Sequence, residues 1–179
     1  MPQKESLLWI IRWSIVVAVV LGKFLATQNV FTSLFLGLGW IIGYLLAEID
    51  HLFYALVCNP HELTCQRVKS HLEQKNWKAA WQLLQQTTGE RVNLSVHNVA
   101  TGLLLAVLGI WIVSSSGSVL ASGAALGLGI RLLTQLIWEV DYQRWYWIFA
   151  RRFSHFENRT VQIIWAFLLL WQLGSLIRR

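Results

Sequence analysis

The run from Gly39 to His51 reads Gly-Trp-Ile-Ile-Gly-Tyr-Leu-Leu-Ala-Glu-Ile-Asp-His and lies in an apolar segment spanning about 31–57. That segment is long enough to cross a bilayer, which takes about 20 predominantly apolar residues. Glu48, Asp50 and His51 nevertheless stand where hydrocarbon would be expected. Ionisable groups at that depth cost roughly 2.5–3.5 kcal/mol each on insertion scales, so they pair or line a polar cavity. A chain carrying this stretch has to fold so that all three find partners.

The rest of the sequence fits such a segment. Charged residues make up 13%, against about 25% in soluble domains. Hydrophobic residues reach 55%, with eleven Trp, a residue that collects at membrane interfaces. These features predict an all-α integral membrane protein, one membrane domain over 1–179. Five transmembrane helices are expected at about 7–27, 31–57, 94–113, 119–140 and 161–177. Arg12 and Lys23 lie near the ends of the first span, where long side chains can snorkel outward.

Between the second and third spans, about 60–88 reads as a cytoplasmic amphipathic helix or helical hairpin. Asn59-Pro60-His61-Glu62 is a helix-start signal, with Asn as cap and Pro at the first helical position. Trp77, Ala80, Trp81 and Leu84 make one helical face, with Lys69, Lys75 and Lys78 elsewhere. That face suits anionic lipid or a partner protein at the membrane surface, and equally suits packing on the protein's own spans.

With the N-terminus inside, eleven Lys and Arg fall on the inner side and three on the outer, leaving Arg131 within the fourth span. This bias predicts a multi-pass membrane protein with a cytoplasmic N-terminus. It also accounts for the net charge of +6 without nucleic acid, for which no motif is present. Cys58 and Cys65 fall on the reducing side, which argues against a disulfide. Their spacing with His61 is metal-like, but Pro60 disturbs it.

In this topology Glu48, Asp50 and His51, then His97, then Glu139 and Asp141 come to the cytoplasmic ends of three consecutive spans. Gly39, Gly43 and Asp50 fall within about 40° of one another on the helix. Gly39 and Gly43 form a small-residue packing face, and Gly123 and Gly127 repeat the device on the fourth span. Where such faces meet, Asp50 points into the bundle. Arg131, Gln135 and Glu139 follow at spacings of four.

Three uses fit this cluster. It could bind a divalent metal such as zinc, whose open position activates water. It could be a structural network in which Arg131 pairs with Glu48 or Asp50. It could conduct protons or ions.

Glu48-Ile49-Asp50-His51 resembles the Asp-x-Asp-His box of the bacterial inner-membrane metal-dependent hydrolases of the LexA-regulated type, with Glu in place of the first Asp. His97-Asn98-Val99-Ala100-Thr101-Gly102 is similar to that family's His-Arg-Gly-x-Thr-His element, with one of the two His missing. Gln135-Leu136-Ile137-Trp138-Glu139 or Arg131-Leu132-Leu133-Thr134-Gln135 could match its His-Leu-Leu-x-Asp element, and neither keeps the His. The resemblance covers about 36–140. It implies a membrane-embedded metal-dependent hydrolase acting at the cytoplasmic interface. Asp50, His51 and His97 would be metal ligands, with Glu48 and Glu139 as further ligands or general base. The alternative is a non-enzymatic membrane protein with an Arg131–carboxylate network and a surface helix that binds lipid or a partner.

Overall fold

A computed structural model describes residues 2–58, 61–87 and 94–178. The fold is all-α, with no strand among the described residues. Its helices are α1 (Pro2–Thr27), α2 (Val30–Phe53), α3 (Leu63–Glu73), α4 (Trp77–Gln86), α5 (Val99–Ser115), α6 (Val119–Trp138) and α7 (His155–Arg178). A π-helical segment, Tyr54–Cys58, continues α2, and a 3-10 turn, Tyr142–Tyr146, follows α6.

Four helical stretches are long and apolar enough to cross a membrane: Ile10–Thr27, Val30–Val57, Val119–Trp138 and His155–Arg178. Val99–Ser115 is apolar but shorter. It starts later than the expected 94, because residues 94–98 form an irregular approach held by side chains from elsewhere. The last helix starts at His155 rather than 161, since Ser154 and Glu157 cap each other's backbone amides.

Glycines set the central packing. A Cβ at Gly39 would fall 2.1 Å from Leu120 O, and one at Gly43 would fall 2.0 Å from Ala124 O. Reciprocally, Cβ atoms at Gly123 and Gly127 would strike the backbone of Leu36 and Trp40. The two small-residue faces therefore meet backbone to backbone, and α2 and α6 run parallel. On the other side of α6, α5 and α7 also run parallel. Trp165 packs over Gly102 and Gln172 over Gly109. Short turns join α1 to α2 and α5 to α6, so α1, α5 and α7 point one way and α2 and α6 the other.

Two apolar cores result. The larger runs through the bundle, around Leu36, Leu126, Leu132, Leu136 and Trp165. A smaller one joins Tyr54 and Ala55 to the α3–α4 hairpin through Cys65, Val68, Ala80 and Leu84, with Leu94 closing it.

Several expectations change here. The stripe on α4 divides: Ala80 and Leu84 are buried, whereas Trp77 and Trp81 are exposed. The cap expected at Asn59 and Pro60 lies outside the described residues. In the structure α3 begins at Leu63, and Glu62 accepts from the Tyr54 hydroxyl at 3.0 Å. Arg12 and Lys23 do not snorkel outward. Both are buried, Arg12 Nε donating to Thr134 Oγ1 at 2.7 Å and Lys23 Nζ to the Leu176 carbonyl at 3.0 Å. Lys23 thereby satisfies a carbonyl in the last turn of α7 that no helical amide reaches.

Candidate functional site

The polar residues of α2 gather at the end of the bundle that carries the hairpin. Asp50 lies on the same face as Gly39 and Gly43 and is buried. Its Oδ2 accepts from the backbone amides of Val96 at 2.8 Å and His97 at 3.1 Å. His97 Nδ1 donates to the same oxygen at 3.0 Å. One carboxylate oxygen thus fixes the entry to α5, and the charge on it strengthens each bond.

The His97 ring spans two helices. Its Nε2 lies 3.1 Å from Gln135 Oε1 on α6. With Nδ1–H given to Asp50, a neutral ring accepts at Nε2 from a flipped Gln135 amide, and a protonated ring donates on both sides. Trp145 meets the His97 ring edge-on at 5.7 Å between centroids, and His51 meets it tilted at 4.8 Å. His51 is buried beside Asp50 on α2.

A second polar group lies next to the first. Arg131 pairs with Glu48 and donates to the Tyr44 hydroxyl, with its guanidinium 4.3 Å from the centre of the Tyr44 ring. Glu48 also accepts from Gln85 of α4 at 3.2 Å, so the hairpin is tied to α2 through this carboxylate. Trp147 Nε1 adds a bond to the Leu94 carbonyl at 3.2 Å.

The predicted residues therefore separate into two sets. Asp50, His51 and His97 come together with Gln135, and Glu48 comes together with Arg131. Arg131 pairs with Glu48, not Asp50, because Asp50 is turned toward the start of α5. Glu139 is exposed at the C-cap of α6, where the chain leaves the helix. Asp141 is exposed too and pairs with Arg144. Cys65 is buried with Sγ 3.8 Å from Glu62 Oε2, and the Cys58 side chain lies outside the described residues. His61 is exposed.

Among the described residues, no group of three or more His, Cys, Asp and Glu forms a metal-binding arrangement. The Asp50 oxygen and His97 nitrogen that could coordinate an ion instead hold each other through a proton. An ion there would have to displace that hydrogen bond and gain a third ligand.

Other polar residues carry structural bonds that were not singled out from the sequence. Asn98 caps α5, accepting from Thr101 N at 2.8 Å and donating to Thr101 Oγ1 at 2.9 Å. The Thr101 that matched the family element is thus part of a helix start. On α7, Asn158, Gln162 and Gln172 are all buried. They bond to Tyr146 at 3.0 Å, to the Leu136 carbonyl at 3.4 Å and to the Ala106 carbonyl at 2.7 Å. Their spacing of four and ten residues places them on one helical face, a signal legible in the sequence.

No protein-family model, curated protein or solved structure matches the chain.

Proposed function

We propose that the chain is a non-enzymatic, multi-pass protein of the bacterial inner membrane, crossing five times with its N-terminus in the cytoplasm. Its polar cluster is a helix-joining network, and its α3–α4 hairpin is a surface for anionic lipid or a protein partner. The observation that carries this reading is the commitment of Asp50. Its Oδ2 takes three hydrogen bonds from Val96 and His97, which ties α2 to the entry of α5.

The alternating helix directions and the eleven-to-three charge bias support the five crossings. At 17 residues α5 is at the short end of the spanning range. The hairpin presents Trp77 and Trp81 outward, beside Lys75 and Lys78, which suits an anionic headgroup layer.

A double-mutant cycle tests the network. Arg131→Leu should lower stability by about 3 kcal/mol, because it leaves a mostly buried carboxylate without its cation. Combining it with Glu48→Gln should recover most of that loss. Additive losses from the two substitutions would overturn the reading.

Metal-dependent hydrolysis is the second reading. It is favoured by one observation, the burial of Asp50, His51 and His97 against one another. Elemental analysis of the purified protein tests it, with loss of a stoichiometric divalent ion in His51→Ala as the result it requires.

A further inference from the structure

The α3–α4 hairpin is held to the bundle at two levels. Its own core of Cys65, Val68, Ala80 and Leu84 packs on Tyr54 and Ala55 of the π-helical segment. Lower down, Gln85 Nε2 donates to Glu48 Oε2 at 3.2 Å. Glu48 stands six residues before Tyr54, about 9 Å further from the end of α2. It is nine residues inside the apolar stretch Val30–Val57. The C-terminal end of α4 is therefore drawn down beside the flank of an apolar helix and does not perch on its tip.

Trp77, Trp81 and Gln85 follow at spacings of four and lie within about 80° of one another on α4. The row that reaches the flank of α2 is thus the row that carries both indoles. Trp81 is one turn and Trp77 two turns from the anchoring Gln85, about 6 and 12 Å along the helix. Their exposure rises with that distance, 45% at Trp81 and 67% at Trp77, as α4 leads away from α2. The far side of α4 carries Gln82 and Gln86, both exposed. Lys78 flanks the row, and Lys75 occupies the turn between the two helices at φ 57°. Both lysines are exposed, and neither has an ion pair among the described residues. Exposed aromatics mark the same end of the bundle on two other helices, Trp138 closing α6 and Phe156 near the start of α7.

In a bilayer, indoles beside the flank of a spanning helix meet the boundary between acyl chains and headgroups, and neighbouring lysines reach the phosphates. A protein partner in the cytoplasm would instead meet the side that carries Gln82 and Gln86. We propose that α4 seats on the bilayer that its own chain crosses, with Trp77 and Trp81 entering the interface and Lys75 and Lys78 meeting headgroup phosphates. The inference rests on the membrane reading above and narrows the hairpin's partner to lipid of the same membrane.

Single nitroxide labels on Trp77→Cys, Trp81→Cys, Gln82→Cys and Gln86→Cys provide the test. The full chain carries Cys58→Ser and Cys65→Ala and is reconstituted in vesicles of phosphatidylcholine and phosphatidylglycerol. Accessibility to oxygen, relative to a water-soluble nickel chelate, should be at least threefold higher at the two tryptophan positions than at the two glutamine positions. A smaller difference would overturn the proposal and leave the tryptophan row facing water, open to a protein. A label on Leu38→Cys, an exposed position of α2 well inside the apolar stretch, separates the possible failures. A water-like ratio there sinks the membrane reading and the seat with it. A lipid-like ratio there, with water-like ratios at both tryptophan positions, sinks the seat alone. A second measurement keeps the native cysteines. The emission that separates the wild type from Trp77→Phe combined with Trp81→Phe should fall at least twofold in vesicles brominated near the headgroup, and a smaller fall would overturn the seat.

Discussion

Replacing Gly43 with Ala tests how the polar network is positioned. The added Cβ would fall 2.0 Å from Ala124 O, 2.8 Å from Ala124 C and 2.9 Å from its Cα. All three are backbone atoms, so no side-chain rotation relieves the clash. To reach ordinary contact, α2 and α6 must separate by more than an ångström. Overpacking of this kind costs about 1–3 kcal/mol. The separation also stretches the bonds that cross the pair. The Arg131–Glu48 pair crosses directly, one turn further along α2, and His97, held by Asp50 of α2, reaches Gln135 of α6 at 3.1 Å. Interhelical hydrogen bonds within a bilayer contribute roughly 0.6–2 kcal/mol each. The expected total is about 2–4 kcal/mol.

Gly22→Ala is the internal control, since nothing lies within 4 Å of its Cβ position. It should be neutral, or stabilising by up to about 1 kcal/mol through helix propensity. Unfolding of both variants in mixed micelles, followed by helical circular dichroism, gives the comparison. Equal stability of Gly43→Ala and Gly22→Ala would refute the claim that glycine contact sets the spacing of these helices.

Two further outcomes follow from other parts of the molecule. Asn98→Ala should cost about 1–2 kcal/mol by removing the α5 cap, and Asn98→Ser should restore much of it; thermal unfolding of the two variants checks this. Tyr146 is outside the apolar helices, and burial, followed by the nearby Glu157 and Tyr142, pushes its phenol up to about 12. The unfolded chain would lose that proton near pH 10. Stability should therefore be intact below pH 10 and fall as pH rises toward 12, and the fall should be shallower in Tyr146→Phe when unfolding is measured across that window.

The parts of the fold that were legible in the sequence are those with a strong period. The spacing of Gly39, Gly43 and Asp50 placed one face of α2 correctly, and the matching glycines of α6 identified the surface it meets. The polar residues of α2 and α6 converge because both helices end at the same side of the bundle. Partner choice within that cluster was not legible. Glu48 and Asp50 stand about 200° apart on α2, so helical phase separates them; what it does not show is that the path of residues 94–98 claims Asp50 and leaves Glu48 for the long side chain of Arg131. Arg12 and Lys23 were misplaced because snorkelling is a local argument. Thr134 and the free carbonyls of α7 are contacts that only the folded bundle supplies. The cap expected at Asn59 and Pro60 lies outside the described residues, and the bond between Tyr54 and Glu62 is likewise a contact that only the fold supplies. The polar face of α7 could have been read from the spacing of Asn158, Gln162 and Gln172, but amides are weaker cues than charges.

The stability of Asp50→Ala, measured beside the wild type with chelator and with added zinc, tests the central claim most directly. The network account predicts a loss of about 3 kcal/mol from the Val96 and His97 donors left without an acceptor, and no effect of zinc or chelator on the wild type. Stoichiometric zinc that stabilises the wild type and is absent from Asp50→Ala, with the two metal-free chains equally stable, would contradict it.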